Sequence, residues 1–143
     1  MCKDDADVEL KFPIRFAVSG TPASFQGKGK SKPLWQEAVR ETLSTVVPPQ
    51  AFACTEDLSL TIYDFPETLP QGDVDNIIKP IQDCMIGPVY IDDRQIRRVL
   101  AHRFLPSDYE NDQDLPELIA EALVNDPPFV YISIDLNPYG AAK

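Results

Sequence analysis

Apolar residues alternate with polar ones along residues 10–18 and 58–65 of this chain and follow a helical period along three other stretches. In residues 10–18, Phe12, Ile14, Phe16 and Val18 fall on one face, which predicts a strand. Pro13 places that strand at a sheet edge or close to its own start, because proline cannot donate to a ladder. Residues 58–65 alternate cleanly and predict a second strand. Residues 95–105 and 129–136 predict a third and a fourth, and residues 89–91 a short extended piece. A helix is expected over 34–47, with Leu34, Ala38, Leu43 and Val46 on its buried side and Trp35 in the core. Pro48 and Pro49 end it. A second helix is expected over 75–86. A third, over 115–124, has Pro116 near its first turn. Residues 19–33 and 66–72 read as loops, punctuated by glycine and proline. The result is one α+β domain over residues 1–143, a small mixed sheet of about four strands flanked by two to three helices. Residues 1–9 and 138–143 are expected to be flexible ends.

Composition narrows the chemistry. The chain has 143 residues, 43% of them hydrophobic, enough to bury a core. No apolar run approaches the ~18 residues of a membrane span. The amino-terminal residues lack the charged-then-apolar pattern of a secretion signal, so the cytoplasm is the expected location. Three scattered cysteines form no zinc pattern, and one histidine excludes a multi-histidine site. Any metal would therefore be held by oxygen, as suits Mg²⁺ or Mn²⁺. The net charge of −10 argues against a polyanionic partner unless the basic residues are segregated.

Candidate chemistry gathers in residues 72–95. Asp73 and Asp75 would point the same way on an extended segment, and two such carboxylates repel unless a cation lies between them. The alternative is that residues 73–76 merely cap the following helix. On a helical wheel Ile77, Ile81, Cys84 and Met85 form a core stripe, and Asp75, Lys79 and Asp83 lie opposite. Lys79 could then reach a phosphate, with Asp83 orienting it. Pro80 is awkward inside this helix unless the helix starts late or kinks. Of the adjacent Asp92 and Asp93, extended geometry lets one join the site.

The string Asp73-x-Asp75-Asn76-x-x-Lys79-x-x-x-Asp83, then Gly87, then Ile91-Asp92-Asp93-x-Gln95-Ile96, resembles the core signature of the RusA-type Holliday junction resolvases, which are phage- and prophage-associated endodeoxyribonucleases. The resemblance implies Asp73, Asp75 and Asp93 as catalytic, metal-binding carboxylates, with Asp92 as the rival of Asp93. It implies Lys79 as the catalytic lysine, and Asn76 and Asp83 in support. It also implies Mg²⁺, with Mn²⁺ as a possible substitute, a homodimer, and a four-way DNA junction as substrate in recombination and repair. A basic residue is expected on the following strand, where Arg103 or His102 stands.

Two basic clusters could follow phosphates: Lys28, Lys30 and Lys32 in the glycine-rich loop, and Arg94, Arg97 and Arg103 after the Asp-Asp pair. Acidic residues concentrate elsewhere, in residues 4–9 and 108–121 and at Asp126. Two other readings stay open. One is a weak or inactive protein of the same fold that engages a partner through its acidic surface. The other is a nuclease acting on other DNA or RNA structures.

Overall fold

The computed structural model describes residues 8–20, 31–67, 74–105, 108 and 128–139. Four strands, β1 (Ile14–Ser19), β2 (Leu58–Phe65), β3 (Ile96–Arg103) and β4 (Phe129–Leu136), form one sheet in the order β1-β4-β2-β3. β4 runs antiparallel to both β1 and β2, whereas β2 and β3 are parallel. The sheet is therefore mixed, and the arrangement is α+β. Pro13 immediately precedes β1, which is an edge strand. The expected helix over 115–124 lies outside the described residues.

The sheet carries most of its core on one face. Ile14, Phe16 and Val18 of β1, Leu58, Leu60 and Ile62 of β2, and Val130, Ile132 and Ile134 of β4 are buried together. Two helices, α1 (Ser31–Leu43) and α2 (Ile78–Met85), contribute to that core. On the other face Phe65, Phe129 and Tyr131 form a second buried cluster with Ala17, Tyr63 and Phe104. Phe65 and Phe129 stack there with centroids 4.5 Å apart. β4 is central and buried on both faces over its first four residues, which explains the continuous Phe-Val-Tyr-Ile run.

α1 departs from expectation in position and phase. It spans Ser31–Leu43, and its buried stripe is Trp35, Val39 and Leu43, extended by Val47 beyond its end. Leu34 is 68% exposed and Val46 43% exposed. Two apolar stripes about 100° apart compete on this helix, and burying the large Trp35 ring favours the second.

α2 behaves as its proline requires. The chain enters through a 3-10 turn, Val74–Ile77, and becomes α-helical at Ile78. Pro80 thus falls in the first turn, where a missing N–H costs little. Ile77, Ile81, Cys84 and Met85 are buried as the wheel requires. The Gln36 side chain on α1 donates to the Pro80 carbonyl at 3.0 Å and ties the two helices together. After α2, Gly87 takes a φ of +104°, a conformation suited to glycine, and the chain reverses. The buried Tyr90 hydroxyl then donates to the Gln82 carbonyl at 2.8 Å, which holds the reversal beneath the helix. Burial raises the Tyr90 pKa well above its usual value.

Ile81 is fully buried and Leu34 is not. Ile81→Ala should therefore destabilise the fold by about 2–5 kcal/mol, and Leu34→Ala should stay within about 0.5 kcal/mol of the parent. Urea unfolding of both variants checks this, and equal losses would contradict the observed phase of α1.

Candidate active site

The candidate site is assembled from the connection between β2 and β3. Parallel neighbours need a long crossover, here residues 66–95, and this crossover carries α2 and the turn before β3. Lys79 stands in the first turn of α2. Its Nζ lies 3.2 Å from Asp83 Oδ1, one helical turn on, and 2.9 Å from Asp93 Oδ2. The three side chains keep access to solvent, at 47% for Lys79, 36% for Asp83 and 32% for Asp93. The ammonium thus bridges two carboxylates from different elements, and the trio keeps one negative charge in excess. The hydrogen bonds that Lys79 donates, to Asp93 first and then to Asp83, raise its pKa above its ordinary 10.5.

Asp92 and Asp93 take different partners. Asp92 caps the 3-10 turn Asp93–Gln95: its Oδ1 accepts from the Arg94 backbone N–H at 3.1 Å, and its Oδ2 from Arg94 Nε at 3.1 Å. The backbone N–H and then the guanidinium of Arg94 lower the Asp92 pKa below its usual carboxylate value. Asp93, the first residue of that turn, faces Lys79 instead.

Asp75 lies on the 3-10 turn before α2 and is exposed. The expectation of an extended Asp73/Asp75 pair does not describe it, because a 3-10 turn has three residues per turn rather than an alternating pleat. The helical wheel also reaches it inexactly, since regular α geometry begins at Ile78. Helix capping does not account for Asp75 and Asn76 either: α2 has Ile77 at its N-cap, with no side-chain hydrogen bond there. Asp73 lies outside the described residues.

The candidate donors are carboxylates, hard oxygen ligands that fit Mg²⁺ or Mn²⁺, and the space between Asp83 and Asp93 already accommodates a positive charge. Among the described residues no three acidic, cysteine or histidine side chains converge closely enough to hold a metal ion by themselves.

The basic residues are distributed unevenly. Lys28 and Lys30 lie outside the described residues, and Lys32 falls in the first turn of α1. Arg94 is 89% exposed while paired with Asp92. Arg97 Nη1 meets Asp57 Oδ2 at 3.1 Å on the surface. Arg103 stands at the far end of β3 from Asp93, about 23 Å along the strand from Ile96 at roughly 3.3 Å per residue. Its Nε bonds Asp64 Oδ2 at 2.9 Å, and Arg103 is 19% and Asp64 2% exposed over their side chains.

Two residues with structural weight had no assigned role in the sequence. Asp64 shares the inward face of β2 with Leu58, Leu60 and Ile62, so a charge on an otherwise apolar alternation was the available signal. Burial raises its pKa, against the opposing pull of Arg103. Gln95 appears in the resolvase-like string, but two of its partners, the carbonyls of Cys54 and Glu56, are distant in sequence.

A model of the endodeoxyribonuclease RusA family matches residues 28–135. The chain belongs to the endodeoxyribonuclease RusA family. That membership supports a nuclease resembling the Holliday junction resolvases, a family that acts on branched DNA. No curated protein matches the chain. No helix among the described residues is long and apolar enough to cross a membrane.

Removing Arg103 would leave the Asp64 carboxylate buried without this counter-ion. Arg103→Ala should cost about 3–5 kcal/mol, whereas Arg97→Ala, at a surface pair, should cost less than about 1 kcal/mol. Chemical denaturation at neutral pH compares them; equal effects would show that Asp64 does not depend on Arg103.

Proposed function

We propose that this protein is a Mg²⁺-dependent endonuclease that hydrolyses phosphodiester bonds at four-way DNA junctions, acting in the cytoplasm as a homodimer during recombination and repair. The observation that carries the reading is Lys79 held between Asp83 and Asp93 on an open face, within the segment matched to the RusA family. Asp73, Asp75 and Asp93 are the proposed metal ligands, with Asp92 assigned to its turn. When bound, a divalent cation supplies charge neutralisation at the phosphate and lowers the pKa of a coordinated water. Lys79, cationic at neutral pH, is placed to stabilise negative charge on the scissile phosphate. Asp83 keeps its ammonium oriented, and Asn76, next to Asp75 on the 3-10 turn, is assigned a supporting role. Lys28, Lys30, Lys32, Arg94 and Arg97 are the proposed backbone contacts, whereas Arg103, held against the buried Asp64, is assigned a structural role. Two symmetric cuts require two copies of one site, which is the reason for proposing a homodimer.

A second reading rests on the acidity of the chain. Arg94, Arg97 and Arg103 each pair with an aspartate, which lessens the positive charge they offer to phosphates. A non-catalytic protein that binds a partner through its acidic surface would fit that arrangement.

Purified protein incubated with end-labelled four-way junction should cut it in Mg²⁺ or Mn²⁺ and not in EDTA. Asp75→Asn should abolish cutting while leaving junction binding intact, and Lys79→Ala should slow it by about 10²–10³-fold. If junctions, flaps and duplexes all survive in both metals, the nuclease reading fails and the binding protein is favoured.

A further inference from the structure

Asp93 and Lys79 belong to elements anchored separately. Lys79 rides on α2, held in the core by Ile81, Cys84 and Met85. Asp93 rides on a single 3-10 turn with no buried residue. The cap made by Asp92 and Arg94 is internal to that turn and does not attach it elsewhere.

Gln95 supplies an attachment. Its Oε1 accepts from the backbone N–H groups of Ile91 at 2.8 Å and Asp92 at 3.1 Å. Its Nε2 donates to the carbonyls of Cys54 at 2.8 Å and Glu56 at 2.9 Å. An amide side chain has two donor hydrogens and two principal acceptor sites, so this one is fully used. Reversing the amide would set its NH₂ against two N–H groups and its oxygen against two carbonyls, so the four partners dictate its orientation. With its bonding capacity spent on backbone, Gln95 is suited to hold rather than to touch substrate.

The platform it grips is itself secured. The Cys54 N–H donates to the Val89 carbonyl at 2.7 Å, and the Asp57 carbonyl accepts from the Asn137 N–H at 2.9 Å. Leu58, the next residue, begins β2 and is fully buried. A path of hydrogen bonds thus runs from the sheet through residues 54–57 and Gln95 to the turn bearing Asp93.

We propose that Gln95 is a positioning residue: its four-way clamp sets Asp93 in register with Lys79 and so organises the carboxylate for metal binding and cleavage. The inference rests on the nuclease reading given above. Groups that orient a ligand from behind are commonly worth 10–100-fold in metal affinity or activity.

The test compares the parent with Gln95→Ala, which removes the clamp, and Gln95→Glu, which keeps the acceptor and loses the amide donors. Hydrogen exchange reads the clamp: protection of the Ile91 and Asp92 amides should disappear in Gln95→Ala and persist in Gln95→Glu. Free Mn²⁺ measured by electron paramagnetic resonance should show roughly 10–100-fold weaker binding in Gln95→Ala. Junction cleavage should lose kcat with little change in junction Kd measured without metal. Parent-like Mn²⁺ affinity and kcat in Gln95→Ala, despite lost amide protection, would overturn the proposal. If circular dichroism shows that Gln95→Ala does not fold, Gln95→Glu decides: weaker Mn²⁺ binding supports the clamp, and unchanged binding and kcat reject it. A parent protein that binds no Mn²⁺ and cuts no DNA would instead sink the nuclease reading, and this inference with it.

Discussion

Parallel strands cannot be joined by a tight turn, and the arrangement of this protein follows from that constraint. Because β3 lies parallel to β2, the chain must return along the sheet before β3 can begin. The return takes residues 66–95, and the polar residues of the candidate site are strung along it. The apolar side of α2 is buried under the same requirement that leaves its opposite side open, with Lys79 and Asp83 on it. The start of β3 then delivers Asp93 to the beginning of α2, although the two lie far apart along the crossover.

The crossover is shaped by residues whose backbone chemistry leaves few choices. Pro80 cannot donate a hydrogen bond, so α2 starts late and the preceding residues close into a tighter turn. Gly87 takes the left-handed conformation that reverses the chain, and Tyr90 locks the reversal under α2. Gln95 then couples the returning chain to the start of β2. All but the last step are local, and together they carry the chain from α2 to the turn in which Asp93 faces Lys79.

Charge is arranged in opposite ways at the two ends of β3. Near its start, Lys79, Asp83 and Asp93 are open to water, and their mutual attraction can be exchanged for contact with an ion or a phosphate. Near its end, Asp64 is buried against Arg103, where desolvation penalises the charged carboxylate and the guanidinium offsets part of that cost. The first arrangement suits binding and the second suits structure. That difference also bears on how a chain of net charge −10 could approach DNA, since the local pairing of its arginines matters more than the sum.

Much was legible in the amino-acid pattern because the relevant signals are local. Alternation gave β2 and an apolar run gave β4 at their observed bounds, the α2 stripe follows from its spacing, and Pro80 announced a late start or a kink. The density of polar positions from Asp73 to Gln95 was enough to suggest the family to which the chain belongs. The phase of α1 was not legible, because Leu34 and Trp35 head rival stripes and packing against the sheet selects between them. Nor could spacing assign Asp75 to a 3-10 turn, or separate Asp92 from Asp93. Those outcomes depend on partners remote in sequence: Asp93 meets Lys79 across the reversal, Arg103 meets Asp64 across two parallel strands, and Gln95 finds carbonyls at Cys54 and Glu56. The sequence alone determined which residues could share a face, because helix and strand periods are properties of the local backbone. Which faces meet was decided by the tertiary structure, because burial of the core and satisfaction of hydrogen bonds are properties of the whole fold.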